Sequence, residues 1–231
     1  MAMRRILLDL FCGAGGAAMG YYQAGFEVVG VDNRPQPHFP FEFHQADAFE
    51  FLAAHGSEYC MIHASPPCQF GSEATPMAYR DRHPNYIPRV RELLREIGRP
   101  FVIENVENVR SWLTNPIMLC GTMFGLGVWR HRYFEINPSL PVLTPPCYHN
   151  KSPVTLCKAG SNSRKTRRLP VLITGTTRKS YKNGGRFEFT VQECRDASEL
   201  YWMTRKEMDE AIPPAYTRYI GRLLLESAIW P

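Results

Sequence analysis

The first half of the chain repeats one pattern, in which a short apolar segment stops at a glycine, an aspartate or a proline. The segment Arg5–Phe11 stops at a Cys-Gly-Ala-Gly-Gly turn, and small residues from Ala17 to Ala24 follow as a predicted helix. Further strands are predicted at 27–31, 44–47, 59–64, 101–106, 117–123 and 130–136. Strands that alternate with helices form a parallel sheet with right-handed crossovers, so the pattern predicts an α/β fold.

Two helices are indicated by their apolar periodicity. Apolar residues recur at helical spacing between 88 and 97, with Pro88 in the first turn and Gly98 beyond the end. A second apolar stripe between 216 and 224 follows a Pro-Pro pair. We therefore expect the last helix to dock on the core.

Positive charge is distributed unevenly along the 231-residue chain. Residues 141–200 hold 11 Lys and Arg against 4 Asp and Glu, whereas the remainder is slightly acidic. This length suits one well-packed domain with a small appendage. We predict a main domain at 1–137, a basic module at 138–199 and C-terminal helices at 200–231 that return to the main domain. The basic module suits a polyanionic partner, although a solvated lysine-rich loop has the same composition.

Several classes of protein are disfavoured by composition. No apolar run reaches the length of about 18 residues that a membrane helix needs, and Asp9 interrupts the apolar start too early for a signal peptide. We expect a cytoplasmic monomer with reduced cysteines and no membrane contact. Cys147 and His149, taken with Cys157 and Cys194, fit no standard zinc spacing, so no metal is expected.

A glycine turn and three aspartates indicate a ligand site at the carboxyl edge of the sheet. The turn allows close backbone approach at the place where open α/β sheets bind ligands. Asp9 lies in the first strand, while Asp32 and Asp47 end the next two. Asp32 is placed to accept hydrogen bonds from ribose hydroxyls, and Asp47 from the amino group of an adenine. One such acid is commonly just solvated, but three on successive strands favour a nucleotide pocket.

Cys68, Glu104 and two arginines are the candidates for chemistry. A Pro-Pro pair fixes the chain before Cys68, whose sulfur is a nucleophile only as the thiolate. Glu104 ends an apolar run, so burial is expected to raise its affinity for a proton that it could share with a ring nitrogen. Arg130 and Arg132 alternate along a predicted strand and are expected to share one face. A buried cysteine and an arginine-paired glutamate are also ordinary structural features.

Together these motifs resemble the ordered signatures of the cytosine-5 DNA methyltransferase family. The matching segments are Asp9–Gly16, Pro66–Gln69, Glu104–Val106, Arg130 with Arg132, and Ala211–Pro214. They extend over most of the chain outside the basic module, and the Pro-Pro-Cys-Gln and Glu-Asn-Val motifs are the most specific. The resemblance implies a Rossmann-like S-adenosylmethionine-dependent methyltransferase sheet in the main domain, with a small inserted target-recognition module.

The resemblance also implies a reaction. A methyl group would pass from S-adenosylmethionine to carbon 5 of a cytosine flipped out of double-stranded DNA, through a covalent bond between Cys68 and C6. Glu104 would contact N3 and the amino group, and Arg132, with Arg130, would orient the base. The implied cofactor-binding residues are Asp9, Phe11, Gly13, Gly15, Gly16, Asp32, Asp47 and Pro67. The expected nucleic-acid contacts are Ser72, Arg80 and Arg82 in a lid at 69–85, and Lys165, Arg167 and Arg168 in the basic module.

Some positions depart from the family pattern. Val128 replaces a glutamine, Asp209-Glu210 replaces Gly-Asn, Phe70-Gly71-Ser72 follows Gln69, and the recognition module is short. Two alternatives therefore stay open. One is cytosine-5 methylation of RNA or of a free nucleotide, and the other is a nucleic-acid-binding or decoy protein without turnover. A DNA substrate would suit a role in restriction-modification.

Overall fold

The computed structural model describes residues 5–67, 84–149 and 190–227. The strands within these ranges are β1 (Ile6–Leu10), β2 (Glu27–Asp32), β3 (Glu42–Gln45), β4 (Met61–Ala64), β5 (Phe101–Asn105), β6 (Ile117–Leu119) and β7 (Arg132–Asn137). The α-helices are α1 (Gly16–Ala24), α2 (Ala48–His55), α3 (Ile87–Ile97), α4 (Val191–Ser198), α5 (Arg205–Glu210) and α6 (Pro214–Glu226). Short 3₁₀ helices lie at Gly56–Glu58, Glu107–Trp112 and Gly121–Phe124.

The seven strands found in the described ranges form one sheet, in the order β3-β2-β1-β4-β5-β7-β6. The first five run parallel, as the sequence predicts. The prediction of a parallel sheet is wrong for β7, which runs antiparallel to both of its neighbours. β6 and β7 are consecutive and adjacent, so the chain reverses between them and no helical crossover is needed.

Three predicted strand boundaries are also corrected. β3 begins at Glu42, earlier than predicted, and β6 ends at Leu119 because the next residues form a 3₁₀ helix. β7 begins at Arg132, so Arg130 precedes the strand. The predicted alternation of the two arginines along one strand is therefore wrong.

The two faces of the sheet bury separate apolar clusters. On β1, Leu8 and Leu10 pack toward α2 and α3, whereas Leu7 packs toward α1 and α6. Successive side chains of a strand point to opposite faces, so one strand supplies both layers. The buried side chains of Tyr216, Ile220 and Leu224 confirm that the last helix docks on the core.

Helices α1 and α6 approach each other closely. A Cβ atom at Gly20 would overlap the Thr217 hydroxyl and the Pro214 carbonyl. The Thr217 hydroxyl donates a hydrogen bond of 2.8 Å to the carbonyl oxygen of Ala17. The run of small residues in α1 is therefore a requirement of helix packing.

A third cluster joins the helices after residue 190 to the glycine turn. Cys194, Leu200 and Met208 are buried together with Ala14 and Val128. Both α4 and α5 begin with a capping box, in which a threonine and a glutamate three residues later satisfy the first amides. Residues 138–149 and 190–199 are the described parts of the predicted basic module.

In the part of the chain that the structure describes, no helix has the length and apolar character needed to cross a membrane.

Candidate active site

The glycine turn after β1 is bound to the end of β2. Phe11, Gly13 and Gly15 have positive φ angles of 58°, 49° and 84°. The amide of Gly13 donates to Asp32 Oδ2 at 3.1 Å, and the amide of Arg34 donates to Asp32 Oδ1 at 3.0 Å. Asp32 therefore fixes the turn at the carboxyl edge of the sheet, where the sequence places a ligand site.

The three glycines of the turn differ in their surroundings. A Cβ atom at Gly15 would lie 2.9 Å from the Phe39 ring, and one at Gly16 would overlap the Ile212 carbonyl. These two glycines are therefore required by protein packing. At Gly13, no heavy atom of the described residues lies within 4 Å of the Cβ position, so a ligand can approach the backbone there.

Asp47 caps a helix beside the same edge. Its Oδ1 atom accepts hydrogen bonds from the amides of Phe49 at 2.9 Å and Glu50 at 3.1 Å. The amide of Ala46 donates to the Asp32 carbonyl at 3.1 Å, so the two aspartates end neighbouring strands. The Phe11 ring packs edge-on against Phe49, with 5.8 Å between ring centroids. Phe11, Asp32 and Asp47 thus lie at the same edge of the sheet, and Asp47 has a structural role as a helix cap.

Asp9 is placed differently from the other two aspartates. Its side chain is completely buried within the sheet, and neither carboxylate oxygen accepts a well-formed hydrogen bond from residues 5–67, 84–149 or 190–227. Burial raises the pKa of Asp9 well above its ordinary value of 3.8, the Ala18 amide opposes this shift, and the charges of Asp32 and Glu104 add to it. Burial therefore favours the protonated form of this carboxyl group.

Replacing Asp9 with asparagine is expected to change how stability depends on pH. Because the pKa of Asp9 is raised on folding, the native state binds one more proton than the unfolded state between pH 3.8 and the raised pKa. Stability then falls with rising pH by about 1.4 kcal/mol per pH unit from this group. Urea unfolding at a series of pH values should show a shallower fall in the Asp9→Asn variant. An identical pH profile in both proteins would contradict the assignment.

Glu104 lies near the end of β5 and meets Arg132 at the start of β7. Glu104 pairs in register with Phe134 of β7, and Arg132, two residues earlier on that strand, places its Nε atom 3.0 Å from Glu104 Oε1. The glutamate is 6% exposed. Burial raises the pKa of Glu104, while Arg132, the Ser65 hydroxyl and Arg130 lower it in part. The predicted burial of Glu104 is therefore confirmed.

The Glu104 carboxylate retains hydrogen-bonding capacity. The Arg132 Nε atom is close to Oε1 but not aligned for a hydrogen bond, and Oε1 accepts none within the described ranges. A buried carboxyl oxygen left in this state carries a free-energy cost that a ligand donor or a bound proton can relieve. Glu104 can therefore hold a proton or bond to a polar ring atom.

The segment that leads to Cys68 is hydrogen-bonded to β5, the strand that carries Glu104. Asn105 Nδ2 donates to the carbonyl oxygen of Pro66 at 2.9 Å. Behind it, the Ser65 hydroxyl lies 2.9 Å from His63 Nε2, and His63 Nδ1 lies 3.0 Å from the Tyr21 hydroxyl. Burial lowers the pKa of His63 to about 3, so this histidine is neutral. Ser65, Asn105 and His63 were not among the predicted site residues, although Ser65 and Asn105 flank them in the motifs.

Arg130 forms hydrogen bonds with the C-terminal segment. Its Nη2 atom donates to the Asp209 carbonyl at 2.7 Å, and its own carbonyl accepts from the Tyr216 hydroxyl at 2.6 Å. Burial lowers the pKa of Arg130 to about 9, and the charge of Arg132 adds to that shift. The two arginines therefore have different partners: Arg132 contacts Glu104, and Arg130 fixes the chain near α5.

The departures from the family pattern are accommodated in this region. Val128 is fully buried in the cluster that includes Ala14 and Cys194. The backbone of Asp209 accepts from Arg130, and Glu210 lies 3.6 Å from Arg34. An apolar residue at 128 therefore has a local structural reason, and the acidic side chains of Asp209 and Glu210 lie near Arg205 and Arg34.

The other predicted site residues fall at or beyond the limits of the described ranges. Pro67 is exposed at the end of the first range. The remaining predicted residues lie outside the described residues, and they are Cys68, Ser72, Arg80, Arg82, Lys165, Arg167 and Arg168.

Comparisons with known proteins identify similar chains. No protein-family model matches. The chain is 40% identical over 80 residues to the Type II methyltransferase M.HgiDI and 39% identical over 80 residues to the Type II methyltransferase M.HgiGI, both from Herpetosiphon aurantiacus. Each alignment covers 29% of this chain, but 25% of the first relative and 62% of the second. The chain thus matches about a quarter and about three-fifths of these relatives' lengths.

The fold agrees with a solved structure over nearly the whole chain. The crystal structure of the S. pombe Dnmt2 methyltransferase aligns with 99% of this chain and 100% of its own, with a TM-score of 0.61 and 13% sequence identity. At this identity the match concerns the fold alone. Together with the sheet order, it confirms the predicted Rossmann-like methyltransferase sheet.

Proposed function

We propose that this chain, whose ordered motifs and fold resemble those of the cytosine-5 methyltransferase family, methylates carbon 5 of cytosine in double-stranded DNA, with Cys68 as the covalent nucleophile. One observation carries most of the support. The buried carboxyl group of Glu104, with its raised pKa, lies on the strand next to the one that leads to Cys68. The two groups have complementary roles in activating a pyrimidine.

The proposed chemistry depends on coordinated changes at two atoms of the cytosine ring, C6 and N3. The Cys68 thiolate forms a bond to C6, and the C5–C6 electron pair moves into the ring as Glu104 supplies a proton or a hydrogen bond at N3. This makes C5 nucleophilic. After methylation, the C5 proton is lost to solvent, the electron pair of the C5–H bond re-forms the C5–C6 double bond, and the bond between C6 and sulfur breaks to release the thiolate. Glu104 then takes back its share of the proton.

Arg132 supports this proposal as the electrostatic partner of Glu104. At 3.0 Å it limits the rise in the pKa of the glutamate, so that the carboxyl group can both hold and release a proton. The Asn105–Pro66 hydrogen bond holds the backbone just before Cys68 against the same strand. The segment that leads to Cys68 is thus tied, at Pro66, to the strand that carries Glu104 by a buried hydrogen bond.

The carboxyl edge of β1, β2 and β3 fits S-adenosylmethionine. Open space adjoins Gly13, the Phe11 ring lies at the same edge, and the described contacts of Asp47 use its Oδ1 atom and leave Oδ2 for a donor. Asp32 and Asp47 would accept hydrogen bonds from the ribose and the adenine. When bound, the cofactor supplies an electrophilic methyl group.

Double-stranded DNA is the substrate we favour. The excess of Lys and Arg in residues 141–200 suits a polymer of phosphates better than a free nucleotide. The local identity to two Type II methyltransferases supports a role in restriction-modification. A duplex substrate requires the target base to be flipped out of the helix, which costs roughly 2 to 4 kcal/mol of unstacking and unpairing free energy.

Bisulfite sequencing of both DNA and RNA from cells that express the full chain tests this function. Unconverted cytosines should appear in DNA, in one sequence context, and should be absent from cells that express Cys68→Ser. Unconverted cytosines in RNA alone would replace DNA by RNA as the substrate. Full conversion of both nucleic acids, with the protein folded and present, would favour the binding or decoy alternative.

Changing Lys165, Arg167 and Arg168 together to glutamine is expected to weaken DNA binding and its dependence on salt. Each lost phosphate contact lowers the slope of log K against log salt concentration by about 0.9, so three contacts account for about 2.7. The slope should be measured by fluorescence anisotropy on one duplex at several salt concentrations.

The matched control removes three other exposed cations, Arg95, Lys206 and Arg222, and so causes the same change in net charge. Its slope should stay close to that of the unmodified protein. Equal slopes for all three proteins would place the phosphate contacts elsewhere on the chain.

A further inference from the structure

Two cysteines and two histidines from three separate segments converge beside β6 and β7. Cys120 directly follows β6, His131 directly precedes β7, and Cys147 and His149 lie farther along the chain. One sulfur or nitrogen atom from each of the four residues lies within 4.8 Å of all the others. The sequence analysis considered Cys194 and Cys157 together with Cys147 and His149. Cys194 lies outside the cluster and accepts a hydrogen bond from Arg205, and Cys157 is outside the described residues.

The distances resemble the edges of a tetrahedron around a metal ion. Cys120 Sγ lies 3.2 Å from His149 Nε2, and Cys147 Sγ lies 3.5 Å from His131 Nε2. In a tetrahedral zinc site with ordinary bond lengths, sulfur and nitrogen ligands are separated by about 3.5 Å. All the donor atoms lie within 4.8 Å of one another, so a closure of about 1 to 1.5 Å would bring even the widest pair to a tetrahedral edge.

The histidines are oriented by their neighbours. His131 Nδ1 lies 3.9 Å from Glu107 Oε2, which directs the opposite nitrogen, Nε2, toward the cluster. Metal-bound histidines commonly bond to a carboxylate through their second nitrogen. The ring of His149 stacks on Trp129, with 4.6 Å between centroids, and also on His131, at 4.9 Å.

The sulfur atoms have a common polar neighbour. The Thr122 hydroxyl lies 3.5 Å from Cys120 Sγ and 3.6 Å from Cys147 Sγ. Cys120 is buried, whereas the other three ligand residues are half-buried. The four donors therefore occupy a partly enclosed site whose side chains are held from outside the cluster.

We propose that Cys120, His131, Cys147 and His149 bind one Zn²⁺ ion in a structural site. Two thiolates and two neutral imidazoles are a donor set that zinc prefers, and four protein ligands leave no open position for a substrate. Two thiolates also balance the charge of the ion. The expectation that this chain holds no metal, drawn from spacing along the sequence, is replaced by this proposal.

The proposed ion would fasten the start of the basic segment to the catalytic sheet. Cys147 and His149 immediately precede the undescribed range 150–189, whereas Cys120 and His131 adjoin β6 and β7. Arg132, the partner of Glu104, is the next residue after His131 and donates to its carbonyl oxygen at 2.8 Å. The zinc site would therefore stabilise both the base of the recognition segment and one side of the active site.

The metal content of the full-length protein, purified without chelators, tests the proposal directly. Mass spectrometry of the metal should find about one zinc per chain. Exchange for Co²⁺ should give visible bands of a tetrahedral ion and a charge-transfer band with the intensity of two thiolates. These spectra report on the unmodified protein, so they do not depend on a variant that folds.

Ligand variants and matched controls then assign the donors. Cys147→Ser and His149→Asn should each weaken zinc affinity by about 10-fold to 100-fold or more, measured by competition with a chromophoric chelator. Cys60→Ser and His55→Asn remove the same groups outside the cluster and should leave the affinity unchanged.

Three results would overturn the proposal. One is less than a tenth of a zinc per chain together with no thiolate band from Co²⁺. The second is a Cys120–Cys147 disulfide, found by peptide mapping under non-reducing conditions in freshly purified protein. The third is zinc affinity that falls as much in the Cys60 and His55 controls as in the ligand variants.

Discussion

Replacing Glu104 with glutamine is expected to lower kcat by about 100-fold to 10,000-fold, the range found for loss of a positioned acid or base. The amide keeps the size of the side chain and can still donate a hydrogen bond, but it loses the ion pair with Arg132 and cannot transfer a proton to N3. Single-turnover methylation of a cognate duplex measures the chemical step, and anisotropy measures DNA affinity. Affinity should change little, because the glutamate is buried and the phosphate contacts are proposed to come from other residues. Equal losses of rate and affinity would contradict the assigned role.

The pH profile distinguishes proton transfer from a merely structural effect. Burial raises the pKa of Glu104, and the protonated form is the one that donates to the ring. The rate should therefore fall as pH rises through this raised pKa, and the fall should be absent in Glu104→Gln. The exposed residue Glu96 on α3 offers the matched control, since Glu96→Gln should alter neither the rate nor its pH dependence.

Replacing Cys68 with serine is expected to lower the rate by about 10,000-fold or more, as the loss of a covalent nucleophile does in other enzymes. A serine hydroxyl has nearly the same shape but is not ionised at neutral pH. Methylation measured with radiolabelled cofactor should approach background, while thermal stability and DNA affinity are retained. Cys60→Ser is the control, and it should keep full activity. A Cys68→Ser variant that retains more than a tenth of the activity would contradict the mechanism.

The parallel part of the sheet could be predicted because its strands are short apolar runs with clear stops. β1, β2, β4 and β5 lie where the sequence places them, and α3 agrees with the predicted helix to within a residue. The direction of β7 could not be predicted, because local patterns carry no information about which strand becomes its partner. The start of β7 at Arg132, which leaves Arg130 outside the strand, could not be predicted for the same reason.

The candidate site was predictable where one motif fixes one local geometry. Asp32 and Glu104 lie at the strand ends that their motifs indicate, and Glu104 is buried as expected. The packing of Gly16 against Ile212 was not predictable, because the two residues are almost 200 positions apart and meet only when α6 docks on α1. The Cys-His cluster could not be found from sequence spacing either, since its residues come from three separate segments, and the β6–β7 reversal accounts only for the approach of Cys120 and His131.

Covalent trapping tests the central claim most directly. The full-length protein should be incubated with S-adenosylmethionine and a duplex of its cognate sequence that carries 5-fluorocytosine, whose C5 fluorine prevents release of the sulfur. We expect a denaturation-resistant protein–DNA adduct, with the attachment mapped to Cys68 and no adduct in Cys68→Ser. Attachment at another cysteine, or cofactor and DNA binding without any adduct, would contradict the account.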